Sequence, residues 1–115
     1  MRLDLDFIRK LLLKIDEFKT FEPITNKDLI DNDTPINQVN AYLDLLIEEE
    51  LISAKRTAYL DGNKLFQINY LTIKGQKFVD VIKTQSFWEK HKQTTLSAGI
   101  LSLQEIILTT IKVLN

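Results

Sequence analysis

Thr34-Pro-Ile-Asn-Gln-Val-Asn-Ala-Tyr-Leu-Asp-Leu-Leu-Ile-Glu-Glu-Glu50 is the stretch on which the fold turns. Val39, Leu43, Leu46 and Ile47 recur at helical spacing, with Ile36 and Tyr42 at the edge. The segment therefore reads as an amphipathic helix that leaves Asn37, Gln38, Asn40, Ala41 and Asp44 outside. Thr34 is placed to cap it, and Pro35 to take its first position, where a missing N–H costs nothing. This helix carries four acids, Asp44, Glu48, Glu49 and Glu50, and neither Lys nor Arg. From Leu51 the pattern changes to a strand that runs to about Tyr59. Asp61-Gly62 supplies a turn, since glycine accepts positive φ, and Lys64 to Tyr70 returns. Thr72 can cap a further helix to about Thr84, with Phe78, Val81 and Ile82 inward.

Working outward, Thr25-Asn26-Lys27-Asp28 matches a capping box that opens a short helix through about Ile30. Asp31-Asn32-Asp33 turns the chain into the helix quoted above. Pro23 forbids a helix interior, so a short extended piece is expected over 21–24. Leu5 to Phe18 forms the first helix, with Leu5, Ile8, Leu12 and Ile15 on one stripe and Phe7, Leu11 and Phe18 widening it. Asp4 or Asp6 caps its start, and Asp6 and Lys10 are spaced for an ion pair. Arg9, Lys10, Lys14, Asp16 and Glu17 read as its solvated face. Past the hairpin helix, Ser86-Phe87-Trp88-Glu89 and Ser102-Leu103-Gln104-Glu105 are further capping boxes. They open helices near Ser86–Gln93 and Leu103–Leu114, joined by a connection over Thr94–Gly99.

The order helix, extended piece, helix, turn, helix, hairpin, helix outlines a winged helix-turn-helix domain. The fold class expected is mainly α (α+β), with a two-stranded wing and a C-terminal helical extension. One domain spans residues 1–115, its core at 1–84 and the extension at 85–115.

Bulk properties restrict what such a domain does. At 115 residues, 44 % apolar, the chain is long enough to bury a core without staples. It has no cysteine, which excludes disulfides, thiolate metal sites and thiol catalysis and suits a reducing cytoplasm, the expected location. A formal net charge of −1 gives no global field to draw in a polyanion. The apolar tail from Leu96 to Leu114 is broken by Gln104, Glu105 and Lys112, so no membrane span is expected.

Catalysis finds no purchase. The single histidine, His91, lies in the polar turn Glu89-Lys90-His91-Lys92 and reads as an exposed bystander. The three glycines, Gly62, Gly75 and Gly99, are isolated and form no phosphate loop. No cluster has metal spacing, and Asp31-Asn32-Asp33 lacks the glycine and the late glutamate of a calcium loop. No enzyme activity, metal or cofactor is expected.

Two binding surfaces are expected instead. Side chains opening the second helix of a helix-turn-helix reach base edges, and amides there pair bidentately with adenine. Asn37, Gln38 and Asn40 occupy that place. In the hairpin, Lys55, Arg56 and Lys64 are positioned for phosphates. The acids at the far end of the same helix oppose a polyanion. The other surface is the last helix, where Leu103, Ile107, Ile111 and Leu114 fall on a stripe suited to pairing two copies as a homodimer.

Arg2-Leu-Asp4-Leu-Asp6-Phe-Ile-Arg9-Lys10-Leu-Leu-Leu resembles the opening of a small bacterial and phage family of unknown function. Tyr42-Leu-Asp-Leu-Leu-Ile-Glu-Glu-Glu-Leu-Ile52 is similar to its middle helix and the strand after it. Leu71-Thr72-Ile-Lys-Gly75-Gln-Lys-Phe78 resembles its Leu-Thr-x-x-Gly-x-x-Phe element, and Ser86-Phe-Trp88 with the final apolar helix resembles its ending. The resemblance implies a winged-helix fold, a phage or mobile-element setting and no established activity, and it lends no site residues. Glu50 departs from the glycine that winged-helix proteins often carry before the strand. The function expected is a non-enzymatic, regulator-like DNA-binding module. The alternative is a protein-binding adaptor on the same scaffold, without DNA affinity, that contacts a host or phage protein.

Overall fold

The computed structural model describes residues 3–18, 23–97 and 102–112, with side chains to 93 in the middle segment. These residues hold five α-helices and one three-stranded antiparallel sheet, a mainly helical α+β arrangement. Helix α1 spans Leu5–Glu17 and buries Leu5, Phe7, Ile8, Leu11, Leu12 and Ile15. Asp4 caps it, its carboxylate accepting the Phe7 N–H at 3.0 Å. Phe18 was expected on the buried stripe. It is 41 % exposed, because the backbone turns extended there and leaves the helix.

Strand β1, Ile24–Thr25, leads into a 3-10 turn over Asn26–Leu29. The capping box expected there is present, with Asp28 accepting the Thr25 N–H at 2.8 Å. Thr34 does not cap the next helix. Its buried hydroxyl is tied to Asp31 and to the Leu29 carbonyl, closing the turn. The cap position falls to Pro35, whose carbonyl takes the Val39 N–H at 3.0 Å.

Helix α2, Ile36–Glu48, buries Val39, Tyr42, Leu43 and Leu46. Tyr42 and Ile47 exchange the places expected of them: the tyrosine is 2 % exposed and Ile47 is half-buried. The reason is polar, since the Tyr42 hydroxyl accepts the Asp4 N–H at 2.8 Å and draws the ring under α1. α2 ends in a Schellman pattern, with Leu51 N–H on the Leu46 carbonyl and Glu50 N–H on Ile47. The residue in left-handed conformation is Glu50, φ +60°. The departure from glycine thus sits where a left-handed residue is required, at a strain of about 1 kcal/mol.

Strands β2, Ile52–Ala58, and β3, Lys64–Leu71, form the hairpin, with a register shift at Ser53/Ala54. The two-stranded hairpin expected is present, and the sheet gains a third strand. β1 pairs along the other side of β3, Ile24 opposite Ile68, giving the order β1-β3-β2. One face buries Ile24, Phe66 and Ile68, and Ile52 is buried opposite Leu71, before the register shift.

Helix α3, Ile73–Ile82, starts at a tight junction. Thr72 accepts the Gly75 N–H and donates its hydroxyl to the Glu50 carbonyl at 2.6 Å. A β-carbon on Gly75 would lie 2.0 Å from the Leu51 carbonyl oxygen. The Leu-Thr-x-x-Gly element is therefore the place where α3 crosses the chain entering β2. Lys74 adds its ammonium to the Glu49 carbonyl at 3.1 Å, a favourable charge at a helix C-terminus.

α3 packs against α1, against α4 (Gln85–Ser97) and against α5 (Leu103–Ile111). Thr94–Ser97, expected to be a connection, continue α4. Ser102 accepts the Glu105 N–H as its capping box requires. Trp88 is buried, with its indole N–H on Asp6 at 2.7 Å, and Lys92 reaches the same carboxylate at 2.9 Å. Asp6 therefore joins α4 to α1 and forms no pair with Lys10. Burial alone pushes the Asp6 carboxyl up. The Trp88 and Lys92 hydrogen bonds, with the Lys92 and Arg9 charges, outweigh it and hold the group below its usual range. Arg9 donates to the Ile82 and Lys83 carbonyls at 2.8 and 3.0 Å, capping α3. Lys10 and Lys14 both turn to Asp31.

Candidate nucleic-acid interface

Hairpin residues alternate between two faces of the sheet, and that alternation sorts the cations. Arg56 lies opposite Phe66, and Ala58 opposite Lys64. Both cations are thus on the face that looks toward α2, beyond the end of the core. Lys55 lies between Ala54 and Arg56, opposite Gln67, on the other face. The three cations expected to act together are split two and one.

Between the 3-10 turn, the first half of α2 and the hairpin lies a groove of about 810 Å³. Lys27, Ile36, Asn37, Asn40, Asp44, Tyr59, Asn63 and Lys64 are among its lining residues. Asn37 is exposed in it. Asn40 is half-buried, and its side-chain oxygen accepts from Asn26 Nδ2 at 2.6 Å. Asn26 is fully buried. It also donates to the Lys64 carbonyl and accepts the Phe66 N–H, so it ties the turn, α2 and β3 together beneath the groove. A composition-based reading passes over Asn26. Its signal is its place inside the capping box, one residue after the cap.

Asn37, Asn40 and Lys64 therefore share one surface, as expected, while Gln38 is half-buried and does not line it. Two lining residues went unnoticed from sequence. Lys27 is exposed on the 3-10 turn that precedes α2. Tyr59 is 51 % exposed at the base of the hairpin loop, and Leu60 beside it is fully exposed.

The groove's charges are paired across it. Arg56 Nη1 is 2.6 Å from Asp44 Oδ1, and Lys64 Nζ is 3.8 Å from Asp44 Oδ2. A shallower groove of about 390 Å³ continues past this pair between Asp44, Ile47, Glu48, Ala54 and Arg56. Lining the two grooves together, the cations Lys27, Lys64 and Arg56 stand against the acids Asp44, Glu48 and Asp61. Chemically the groove offers amide donors and acceptors, an exposed phenol ring and cations held by an acid. No group of three or more His, Cys, Asp or Glu that could hold a metal occurs among the described residues.

The second expected surface is differently placed. Leu103 and Ile107 are buried within this chain, where α5 covers α3. Ile111 is half-buried, and Leu114 lies outside the described residues. His91 is half-buried, not the exposed bystander expected. Its Nε2 meets Thr110 Oγ1 at 2.7 Å, and its ring stacks on Phe87 at 5.5 Å. Burial holds its pKa below the usual value. No helix among the described residues is long and apolar enough to cross a membrane.

The family model described as "Hypothetical protein (DUF2513)" matches residues 2–101, and the chain belongs to that family. No curated protein and no solved structure gives a significant match to this chain.

Proposed function

We propose that this member of the family is a winged helix-turn-helix module that binds DNA without catalysing a reaction. The element order supports the winged-helix reading, as does a first strand added to the hairpin's β3 edge so that α2 lies beside the wing. The observation that carries the binding reading is the groove in which Asn37 and Asn40, near the start of α2, face Lys64 of the hairpin. In it Asn37 reads base edges and Lys27 and Lys64 take phosphates, while Arg56 does so in the shallower groove past Asp44 and Gln38 takes no part. Lys55, on the other face of the hairpin, takes no part. Asn40 is held by Asn26 and fixes the helix against the turn.

One chain suffices for this reading, since Leu103 and Ile107 are used inside the fold. Light scattering is then expected to give the monomer mass of 13.4 kDa. Fluorescence titration of labelled random and genomic duplexes at low salt tests the binding. Micromolar binding that weakens about tenfold in Lys27→Ala/Lys64→Ala and is unchanged in Lys55→Ala is the expected result, from the loss of two phosphate contacts. No binding to any duplex at 50 mM salt, on the order of the lowest ionic strength usually tested, rejects it.

The charge balance along α2 favours a second reading, the protein-binding adaptor. With Asp44, Glu48 and Asp61 offsetting three cations, and with Ile36, Tyr59 and Leu60 exposed, the same groove suits a peptide of mixed charge. A pull-down after DNase treatment separates the two readings, because only the adaptor retains a stoichiometric protein without nucleic acid.

A further inference from the structure

We infer that Asp44 acts as a built-in competitor for phosphate, holding Arg56 and Lys64 so that the groove grips a polyanion weakly unless its amides also engage. The inference rests on the DNA-binding reading above and names how that site is regulated. Each carboxylate oxygen of Asp44 faces a different cation, Arg56 Nη1 at 2.6 Å and Lys64 Nζ at 3.8 Å. The cations come from the two strands of the hairpin, so one acid on α2 neutralises the inward face of the wing. Arg56 has 53 % of its side chain exposed, Lys64 43 % and Asp44 32 %. Ion pairs this exposed are weak and screened by salt, so a phosphate can displace the carboxylate.

Displacement has a consequence that can be measured. A phosphate on Arg56 or Lys64 releases fewer counterions while Asp44 remains beside it, because the cation was already compensated from within. Non-specific affinity and its salt dependence are both lowered. Base-edge contacts from Asn37 are not affected, since they carry no net charge. The acid therefore shifts the balance from phosphate gripping toward base reading, which makes Asp44 a selectivity residue.

The test compares wild type, Asp44→Asn and Glu48→Gln by titration of a labelled random duplex between 50 and 300 mM KCl, roughly the range over which phosphate contacts dominate. Glu48→Gln makes the same charge change one turn along α2, at a residue with no ion pair among the described residues. Asp44→Asn is expected to bind about tenfold more tightly at the lowest salt, with a log–log salt slope steeper by about one to two. Those values follow from freeing one or two phosphate contacts. Glu48→Gln is expected to gain less than about threefold with little change of slope, the generic effect of one nearby charge that pairs with neither cation. Arg56→Ala/Lys64→Ala in the Asp44→Asn background is expected to remove the gain. Equal gains for Asp44→Asn and Glu48→Gln overturn the inference, as does weaker binding by Asp44→Asn. If wild type binds and Asp44→Asn does not improve, the competitor role alone fails. If neither binds any duplex, the DNA-binding reading fails with it. Thermal melts of each variant confirm that all are folded.

Discussion

The N-terminal half-turn of α1 and the groove beside α2 are both rich in polar side chains, yet they use them in opposite ways. In the first, all end on fixed partners: Asp4 on the Phe7 N–H three residues on, and Asp6 and Arg9 far along the chain, on Trp88 and Lys92 and on the last carbonyls of α3. In the second, Asn37 is open, and Asp44, Arg56 and Lys64 are half-exposed and, among the described residues, pair their charges with one another. The charged opening of α1 is therefore architecture, and the surface available for function lies beside α2. A signature of charged residues in an α-helical protein need not mark a site. It marks one only where the charges lack structural partners.

The comparison breaks first at the junctions. Gly75→Ala forces a β-carbon to 2.0 Å from the Leu51 carbonyl, a backbone atom with no freedom to retreat. A loss of about 3 kcal/mol or more, or no folded protein at all, is expected in a denaturant melt, at the upper end for overpacking. A loss below about 1 kcal/mol would mean that α3 can slide along β2 and that the junction is soft.

The Asp6 clamp comes next. Asp6→Ala leaves the Trp88 indole N–H without its acceptor and is expected to cost about 1–2 kcal/mol. Asp6→Asn keeps an acceptor and loses the Lys92 charge. Its expected cost is smaller, under about 1 kcal/mol, because the Asp6 side chain is 61 % exposed and water screens its charge. Equal losses in the two variants would assign the clamp to charge, not to the indole.

These contacts also show what a sequence can and cannot disclose. The buried stripes of α1, α2 and α3, the hairpin and its turn were legible, because periodicity reports burial directly. The partners of Asp6, Arg9 and Lys10 were not. Local spacing assigned Asp6 to Lys10, four residues on, whereas tertiary packing brings Trp88 and Lys92 to it from α4. The third strand escaped for a related reason. Two residues, Ile24 and Thr25, have no period, and only the free edge of β3 defines them as a strand. In the groove, the shared placement of Asn37 and Lys64 was readable from the helix-turn-helix order. The split of Lys55 from Arg56 follows from strand alternation alone and was there to be read, whereas the pairing with Asp44 required coordinates.

Glu50 sharpens the comparison in the stabilising direction. Its φ of +60° is a glycine-like conformation held by a residue with a β-carbon. Glu50→Gly relieves that strain but adds freedom to the unfolded chain, so a net gain of about 0.5–1 kcal/mol is expected. Thr72 would keep its bond to the residue 50 carbonyl, so the junction with α3 should be retained. A destabilised Glu50→Gly would show that the glutamate side chain contributes more than its backbone costs.

His91 gives the pH dependence. Burial lowers its folded pKa below the unfolded value near 6.5, so the unfolded chain takes up the proton first. The sign follows: stability is full above that value and declines as pH falls through the window between the unfolded and the lower folded pKa. His91→Gln is expected to flatten that part of a melting-temperature profile while leaving the acid limb set by Asp31 and Asp6, whose folded pKa values are also low and whose stabilisation is lost as pH falls below the usual carboxylate range.

The smallest expected effect on stability separates the two regions most cleanly. Arg56→Ala and Lys64→Ala each remove an exposed partner of Asp44 and are expected to shift stability by no more than about 0.5 kcal/mol. Arg9→Ala is also a single cation-to-alanine change, but it uncaps the α3 carbonyls and is expected to cost about 1 kcal/mol or more. If the wing pair proved as costly as Arg9, Asp44 would be a strut of the fold like Asp6, and the groove would lose its claim to be a surface kept free for a ligand. If it is nearly neutral while altering DNA affinity, then the same residue types serve scaffold in one half of the molecule and recognition in the other. What divides them is whether their partners are fixed by the core or can be exchanged for a phosphate.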